Sequence, residues 1–361
     1  MSRPVTARME GAALQHNYRL LAGLTPEARL MAVVKADGYG HGLEGVAGAL
    51  WDAGCRDFAV TDAEEGARLR SLLHAREEEW GERASVTLFS GLFDDEDARL
   101  VVAHELAPVI HSQEEVARLR RARFSGGLWL KVETGMNRLG ADHVRQLLDR
   151  CYRCRWPVRG LLSHLACADL PEHPLNARQI ERMRSHLNLL GPGLSGSLLN
   201  SAGMVHFPEA AFDVVRPGIA LYGSQPVAGG SLDLRPVMRL EAEIMQIHRV
   251  EAGGAVSYGA EYVATRPMRV AVVAAGYGDG VPRRLGCVGG EVWCGGERFP
   301  IVGRVCMDYT MIDVTGSTLR VGDRVQFWGD GIPVDAVAAR CGTIGYELFT
   351  GVNRRVRRLW S

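Results

Sequence analysis

The stretch LMAVVKADGYGHG (Leu30–Gly42) decides how the rest of the chain is interpreted. It opens with a short apolar run, Leu30–Val34, which is typical of a strand buried on both faces. Lys35 and a glycine-rich loop follow at once. The GxGxxG fingerprint of a doubly wound dinucleotide-binding sheet is absent from this loop, so a closed barrel is favoured over that alternative. The stretch therefore predicts the first strand and loop of a parallel barrel.

Seven further β-rich runs follow this strand, and helical runs separate them. Eight alternating units over about 200 residues predict a (β/α)₈ TIM-type barrel, which is an α/β fold. We expect two of its helices to begin at capping boxes, Thr61 with Glu64 and Ser112 with Glu115. The seven runs are Asp57–Val60, Val86–Phe89, Ala107–Ile110, Leu128–Val132, Val158–His164, Ser197–Leu199 and Phe212–Val215.

The pattern changes after residue 223. The segment Gly223–Pro236 is rich in glycine, proline and serine, as is typical of a boundary. Short strands with glycine turns follow, with one clear helix near Val334–Cys341. We expect residues 10–232 to form the barrel and residues 233–361 to form a C-terminal, mainly β-strand domain, which an N-terminal strand at residues 1–9 joins. The expected strands are Leu240–Ile247, Arg269–Ala274, Glu291–Trp293, Arg298–Val302, Thr310–Val314 and Arg324–Trp328.

The composition excludes several classes of protein. The 361 residues carry 42 basic and 42 acidic side chains, and this balance argues against a general nucleic-acid or anionic-membrane binder. No apolar run approaches the length of a transmembrane helix, and the N-terminus lacks the apolar region of a signal peptide. With eight cysteines and one lone CxxC, we expect reduced thiols in the cytoplasm and no metal site.

The basic residues themselves are unevenly divided. Lys35 and Lys131 are the only lysines, so the other 40 of the 42 basic residues are arginine. Arginine replaces lysine on a solvated surface but cannot replace an amine that must lose its proton. Lys35 follows the first predicted strand and Lys131 ends the fifth, which places both on the rim where such barrels carry their chemistry.

Other polar or small residues also follow predicted strands. The loops after strands seven and eight are where such barrels usually bind a phosphate. A phosphate held there and a rim lysine suggest pyridoxal 5′-phosphate bound as a Schiff base, because lysine is the side chain that forms this imine. A sugar-phosphate aldolase or isomerase is the competing interpretation. The strand-end residues are Arg138, His164, Asn200, Ser201, Arg216, Gly218 and Ile219.

Nine motifs in the two predicted domains carry a resemblance to a known family. They are VVKADGYGHG (Val33–Gly42), KVETGMNRLG (Lys131–Gly140), SHLACAD (Ser163–Asp169), NSAG (Asn200–Gly203), RPGIALYG (Arg216–Gly223), SYGAEY (Ser257–Tyr262), GYGDGVPR (Gly276–Arg283), GRVCMD (Gly303–Asp308) and GYE (Gly345–Glu347). On these motifs the chain resembles the alanine racemase family, a group of fold-type-III pyridoxal phosphate enzymes. The resemblance implies interconversion of L- and D-alanine, which supplies D-alanine for peptidoglycan or degrades it. A racemase of serine or another small amino acid and a non-catalytic pyridoxal phosphate carrier are the alternatives.

The resemblance also implies a two-base mechanism in a homodimer with shared sites. Lys35 is expected to hold the cofactor and to act as one base, while Tyr258 acts as the other base in the site of the second subunit. His164 is expected to link that tyrosine to Arg216, which faces the pyridine nitrogen. Arg138 is expected near the cofactor's phenolic oxygen and the substrate. A related decarboxylase is disfavoured because it would place a carboxylate at the position of Arg216.

Supporting residues follow from the same resemblance. Lys131 matches a lysine that CO₂ carbamylates, the alternative being a plain lysine in a strand-end ion pair. Met307 is expected to line the substrate pocket, and Asp169 with Arg284 is expected to form a gate pair. The phosphate contacts are expected to be Tyr39, Ser201, Gly218, Ile219 and Tyr346. The remaining entrance residues are expected to be Tyr262, Tyr277 and Asp308.

Overall fold

The computed structural model describes residues 3–361 and has two parts of different architecture. Eight parallel strands close into a barrel, and a separate eight-stranded sheet lies outside it. Both the predicted (β/α)₈ barrel and the predicted mainly β domain are confirmed. The strand preceding the barrel is β1 (Val5–Met9), and the barrel strands are β2 (Arg29–Val33), β3 (Asp57–Val60), β4 (Ser85–Leu88), β5 (Ala107–Ile110), β6 (Leu128–Lys131), β7 (Val158–Leu162), β8 (Ser195–Asn200) and β9 (Val214–Arg216).

Helices alternate with the barrel strands and two more follow in the second part. The first turn after the first barrel strand, α2 (Lys35–Tyr39), has a left-handed backbone at residues 36–38. The helices are α1 (Gly11–Leu24), α2 (Lys35–Tyr39), α3 (Leu43–Asp52), α4 (Ala63–Trp80), α5 (Asp95–Ala103), α6 (Gln113–Arg121), α7 (Val144–Arg153), α8 (Leu175–Leu190), α9 (Ser201–His206), α10 (Val334–Cys341) and α11 (Gly345–Thr350).

The second sheet contains both ends of the described chain. Strand β1 pairs antiparallel with the first strand after the barrel and parallel with the last strand of the chain. Residues 1 and 2 of the expected N-terminal strand lie outside the described residues, and the division at residues 232 and 233 stays a prediction. The strands after the barrel are β10 (Met238–Val250), β11 (Ala255–Val256), β12 (Tyr262–Val263), β13 (Met268–Val273), β14 (Glu291–Cys294), β15 (Glu297–Pro300), β16 (Thr310–Asp313), β17 (Arg324–Trp328) and β18 (Arg357–Trp360).

Apolar side chains fill the barrel interior. Met31, Val109, Trp129 and Leu162 belong to this buried cluster. No side chain fits at Gly160, where a Cβ would lie 2.0 Å from the Ser195 carbonyl oxygen and 2.7 Å from the indole of Trp129. Since the interior is packed, polar chemistry is confined to the rim formed by the strand ends.

One predicted helix start is wrong and one is confirmed. Helix α4 begins at Ala63, so its N-cap is Asp62, whose side chain accepts a hydrogen bond from the Glu65 N–H at 2.9 Å. The expected box of Thr61 with Glu64 is therefore displaced by one residue. The expected box of Ser112 with Glu115 is present, with both reciprocal hydrogen bonds.

Three findings concern the described residues 3–361 as a whole. None of their helices is long and apolar enough to cross a membrane. Within the same range, no group of three or more His, Cys, Asp or Glu side chains is arranged to hold a metal ion. All eight cysteines are free thiols.

We expect Gly40→Ala to destabilise the protein more than Gly54→Ala does. Both glycines have positive φ, +77° and +96°, but a Cβ at Gly40 would lie 2.1 Å from the Phe349 carbonyl oxygen, whereas nothing lies within 4 Å of a Cβ at Gly54. Backbone strain alone should lower the free energy of unfolding by about 1–2 kcal/mol at Gly54, and strain plus the clash with α11 should lower it by about 2–4 kcal/mol at Gly40. Urea unfolding at one protein concentration measures the free energy of unfolding of both variants. Equal decreases would contradict the role of the close approach between Gly40 and the Phe349 carbonyl oxygen.

Candidate active site

A cavity of about 400 Å³ opens at the C-terminal ends of the barrel strands. Both lysines of the chain line it, although they lie 96 positions apart in the sequence. The expected residues that line this cavity are Lys35, Tyr39, Lys131, Arg138, His164, Ser201, Arg216, Gly218, Ile219 and Tyr346. Asn200, which was also expected at a strand end, lines the cavity too, so the sequence predicts eleven residues that the fold brings to one place.

Thr61, Phe89 and Ser90 also line the cavity and were missed. Thr61 follows β3 directly, and the other two follow β4. Their position after barrel strands was the signal that could have found them, since every strand end of such a barrel faces the same rim.

The cavity is strongly cationic. Lys35, Lys131, Arg138 and Arg216 line it, and no carboxylate of the described residues does. Cations brought together in this way repel one another and are stabilised by bound anions or by loss of a proton. The cavity is therefore suited to a ligand that carries negative charge.

Arg216 is the most buried of these cations. Its Nη1 donates to Ser197 Oγ at 2.5 Å, and its Nη2 donates to the carbonyl oxygens of Ser163 at 2.5 Å and Leu198 at 3.2 Å. Burial lowers the pKa of Arg216 to about 9, so the guanidinium remains charged at neutral pH. The phenyl ring of Phe89 lies 5.8 Å from the Arg216 Cζ atom and faces it.

His164 is held as a neutral ring by the same guanidinium. Burial, and next the charge of Arg216, hold the pKa of His164 well below its usual value. Arg216 Nη2 lies 3.2 Å from Nδ1, and because a guanidinium only donates, Nδ1 must accept and Nε2 must carry the hydrogen. Asn200 Nδ2 lies 3.5 Å from Nε2, while Asn200 Oδ1 accepts from the Gly203 N–H. In the described chain the Nε2–H therefore lacks an acceptor and is free for a group from outside.

Both lysines titrate below the usual value of lysine. Burial, and then the charges of Arg216 and Arg138, lower the pKa of Lys131 to about 8. Burial and the charge of Arg138 also lower the pKa of Lys35, whereas Glu65 acts in the opposite direction. A fraction of the Lys131 amine is thus neutral near pH 7–8, and the lowered pKa of Lys35 favours its neutral amine, which is the form that nucleophilic chemistry requires.

Small polar groups form one end of the cavity. Ser201 begins helix α9, and its Oγ accepts from the N–H groups of Gly218 at 2.9 Å and Ala220 at 3.4 Å. A Cβ at Gly218 would lie 2.3 Å from the hydroxyl of Tyr39, so this approach requires glycine. Burial raises the pKa of Tyr346 to about 12, which keeps its phenol a hydrogen-bond donor. The Ser201 hydroxyl accepts these two hydrogen bonds and keeps its own hydrogen to donate, so the hydroxyl groups of Ser201, Tyr39 and Tyr346 are donors suited to a phosphate.

The expected second base and entrance residues lie elsewhere on the chain. Tyr258 is 70% exposed and Met307 is 54% exposed, and neither lines the cavity of its own chain. Tyr277 and Tyr262 belong to the same C-terminal part, the first exposed and the second partly buried. Asp308 forms ion pairs with Arg3 at 3.3 Å and with Arg355 at 2.9 Å.

The expected gate residues lie in two different hollows. Asp169 lines a hollow that continues from the cavity past Tyr346. Arg284 lines another hollow beside Tyr277 and Cys341. No ion pair joins Asp169 to Arg284 within the part of one chain that the structure describes.

Comparison with known proteins identifies the family. The family model for the alanine racemase N-terminal domain matches residues 10–226, and the model for the C-terminal domain matches residues 237–360. An alanine racemase of Nitrosococcus oceani is 40% identical over 364 residues, which cover 98% of each chain. A protein of Pseudomonas aeruginosa named "Alanine racemase, biosynthetic" is 40% identical over 375 residues, which cover 99% of each.

Solved structures agree with this identification. The crystal structure of the biosynthetic alanine racemase from Pseudomonas aeruginosa matches with a TM-score of 0.89, covering 99% of both chains at 40% identity. An alanine racemase from Bartonella henselae, described with covalently bound pyridoxal phosphate, matches with a TM-score of 0.88 over 99% of both chains at 30% identity. The chain belongs to the alanine racemase family of pyridoxal phosphate-dependent racemases.

Proposed function

We propose that this chain interconverts L-alanine and D-alanine in a homodimer, with Lys35 and Tyr258 as the two bases beside a pyridoxal 5′-phosphate cofactor. The observation that carries the proposal is the cavity itself. It joins a buried amine at Lys35 to a cradle of hydroxyl donors and close backbone around Ser201 and Gly218, with fixed positive charge from Arg216. An aldehyde and a phosphate on one molecule suit these two ends, so the donor set fits the cofactor.

The cradle residues would hold the phosphate, and Lys35 would hold the aldehyde carbon. Bound there, the cofactor would withdraw electrons from the substrate's Cα and make its proton acidic. Arg216 keeps its proton at neutral pH, so it would present a hydrogen-bond donor to the ring nitrogen. The phosphate contacts would be Tyr39, Ser201, Gly218, Ile219 and Tyr346.

Racemisation needs one group that removes the Cα proton and another that delivers a proton to the opposite face. Burial and the charge of Arg138 lower the pKa of Lys35 and so favour the neutral amine that can accept this proton. Tyr258 is the proposed second group, supplied by the partner subunit, where the free Nε2–H of His164 would donate to its phenolic oxygen. Arg138 would bind the substrate carboxylate, because it is a cation on the cavity wall.

Residues of the partner's C-terminal part would complete the entrance. Met307 would line the substrate pocket, and Asp169 of one chain would pair with the partner's Arg284. Their separation within one chain is consistent with a pair formed between chains. The other entrance residues would be Tyr262, Tyr277 and Asp308. We propose that the enzyme works in the cytoplasm and supplies D-alanine for peptidoglycan, as the word "biosynthetic" in the name of one relative suggests.

A racemisation assay over small L-amino acids, followed by chiral chromatography, tests the activity. We expect D-alanine from L-alanine and the reverse, with slower conversion of serine because the pocket is completed by large side chains such as Met307. Lys35→Ala should lower the rate by at least about 10³-fold. Equal conversion of serine and alanine would contradict the substrate, and an active Lys35→Ala enzyme would contradict the role of the lysine.

Mixed dimers test whether the site is shared. Lys35→Ala and Tyr258→Ala should each be inactive as homodimers. Random exchange of subunits should make about half of the dimers mixed, each with one intact site, so that roughly a quarter of the wild-type activity returns. Verified mixed dimers that stay inactive would exclude a site built from Lys35 of one chain and Tyr258 of the other.

Lys131 is the proposed site of carbamylation by CO₂. Its neutral amine would attack CO₂ to give a carbamate with release of one proton, and the new anion would pair with Arg138. Because its pKa is about 8, about half of the amine is neutral at pH 8 and about 1% at pH 6. We expect a ¹³C carbamate signal of Lys131 with ¹³C-bicarbonate at pH 8 that fades towards pH 6 and is distinct from the carbamate of the N-terminal α-amine, whose pKa is also about 8. The signal should persist in Lys35→Ala and be absent from Lys131→Arg; its survival in Lys131→Arg would refute the assignment.

A further inference from the structure

The turn that follows Lys35 has an unusual backbone. Ala36, Asp37, Gly38 and Tyr39 all have positive φ, between +52° and +63°. Three of these residues are not glycine, and L-residues avoid this left-handed region. Such a run persists only where its surroundings hold it. The turn links Lys35 to Tyr39. Its conformation therefore sets the position of the Lys35 amine relative to the Tyr39 phenol, which lies at the proposed phosphate-binding end of the cavity.

The carboxylate of Glu65 provides a direct hold on this turn. Its Oε1 accepts from the Asp37 N–H at 2.7 Å, and its Oε2 accepts from the Ala36 N–H at 3.2 Å. Successive N–H groups of a left-handed turn form a concave site for an anion, and here the anion is a side chain. The N–H groups of Gly38 and Gly40 have backbone acceptors instead.

Glu65 is itself fixed by the neighbouring βα unit. It lies in the first turn of α4, and its own N–H donates to the Asp62 side chain. Helix α4 also reaches the turn through Arg68, whose Nη1 lies 2.9 Å from Asp37 Oδ1. The turn after β2 is thus fastened to the helix after β3.

Glu65 also acts on the charge of the amine. The charged or titratable groups that interact with Lys35 are Arg138, Lys131, His164 and Glu65. Of these only Glu65 is acidic, and it favours the protonated ammonium of Lys35.

We propose that Glu65 is a positioning residue whose carboxylate holds the left-handed turn and thereby sets the placement of Lys35 and Tyr39 for the cofactor. This inference rests on the proposed role of Lys35 in holding that cofactor. Glu65 acts through the turn and through its charge, and it does not line the cavity.

Equilibrium binding of pyridoxal 5′-phosphate to the cofactor-free, full-length protein is the first test. Glu65→Ala removes both acceptors and should weaken binding about tenfold. Glu65→Gln keeps one acceptor and turns an NH₂ group towards the other N–H, so its loss should be intermediate. Glu64→Gln is the matched control, because Glu64 is the exposed neighbour on the same helix, and it should bind within about twofold of wild type. Wild-type affinity in Glu65→Gln and Glu65→Ala would overturn the proposal.

The pKa values of the two lysines provide a second test, because a general loosening of the fold would not change the pKa of Lys35 alone. Because the chain has only Lys35 and Lys131, ¹⁵N-lysine labelling gives one side-chain signal for each. Removing the carboxylate in Glu65→Gln should lower the pKa of Lys35, since a nearby anion favours the ammonium. The pKa of Lys131 should change less. An unchanged Lys35, or an equal shift at both lysines, would overturn the proposal.

Borohydride reduction of the cofactor-loaded wild-type protein, with peptide mapping, separates this inference from the function it rests on. Label on Lys35 supports the proposed role of that lysine whatever the Glu65 variants show. Label elsewhere would overturn the proposed function, and with it the inference. Label on Lys35 together with unaltered Glu65 variants would overturn the inference alone.

Discussion

The buried guanidinium of Arg216 is the constraint on which the rest of the site depends. A buried charge is stable only when its donors are satisfied, and here the acceptors are Ser197 Oγ and the carbonyl oxygens of Ser163 and Leu198. Ser163 follows β7 and the other two residues lie in β8, whereas Arg216 ends β9. One side chain therefore ties together the ends of three strands. The hydrogen bonds that Arg216 requires therefore fix this part of the rim, in addition to the packing of apolar side chains.

The same charge adds to the effect of burial on the ionisation of its neighbours. It contributes to the lowered pKa values of His164 and Lys131, and it also makes the cavity attractive to anions. Arginine serves where a permanent charge is needed, and lysine remains where a proton must leave. The division of 42 basic residues into 40 arginines and two lysines follows this difference, because both lysines line the cavity.

The sequence could predict the barrel because its strands are buried on both faces and so are short apolar runs. Rim residues such as His164 were predictable from their place at strand ends. The left-handed turn was not, because positive φ at Ala36 or Tyr39 leaves no mark in composition. Helix α11 was also missed, since six residues are too few for a periodic pattern, although this helix brings Tyr346 to the cavity. Glu65 was overlooked because the expected capping box was displaced by one residue.

Tyr258 and the cavity that contains His164 do not meet within one chain. The segment bearing Tyr258 is exposed, yet it is constrained: Ser257 has φ +68°, and its hydroxyl donates to the Arg304 carbonyl oxygen at 2.7 Å. Strain of this kind is retained where a side chain must be presented in one direction. In the barrel, Nε2 of His164 carries a hydrogen, and this hydrogen has no acceptor in the described chain. A second copy of the chain, placed by a twofold axis, would satisfy both parts at once, because a twofold interface gives each subunit what it supplies to the other.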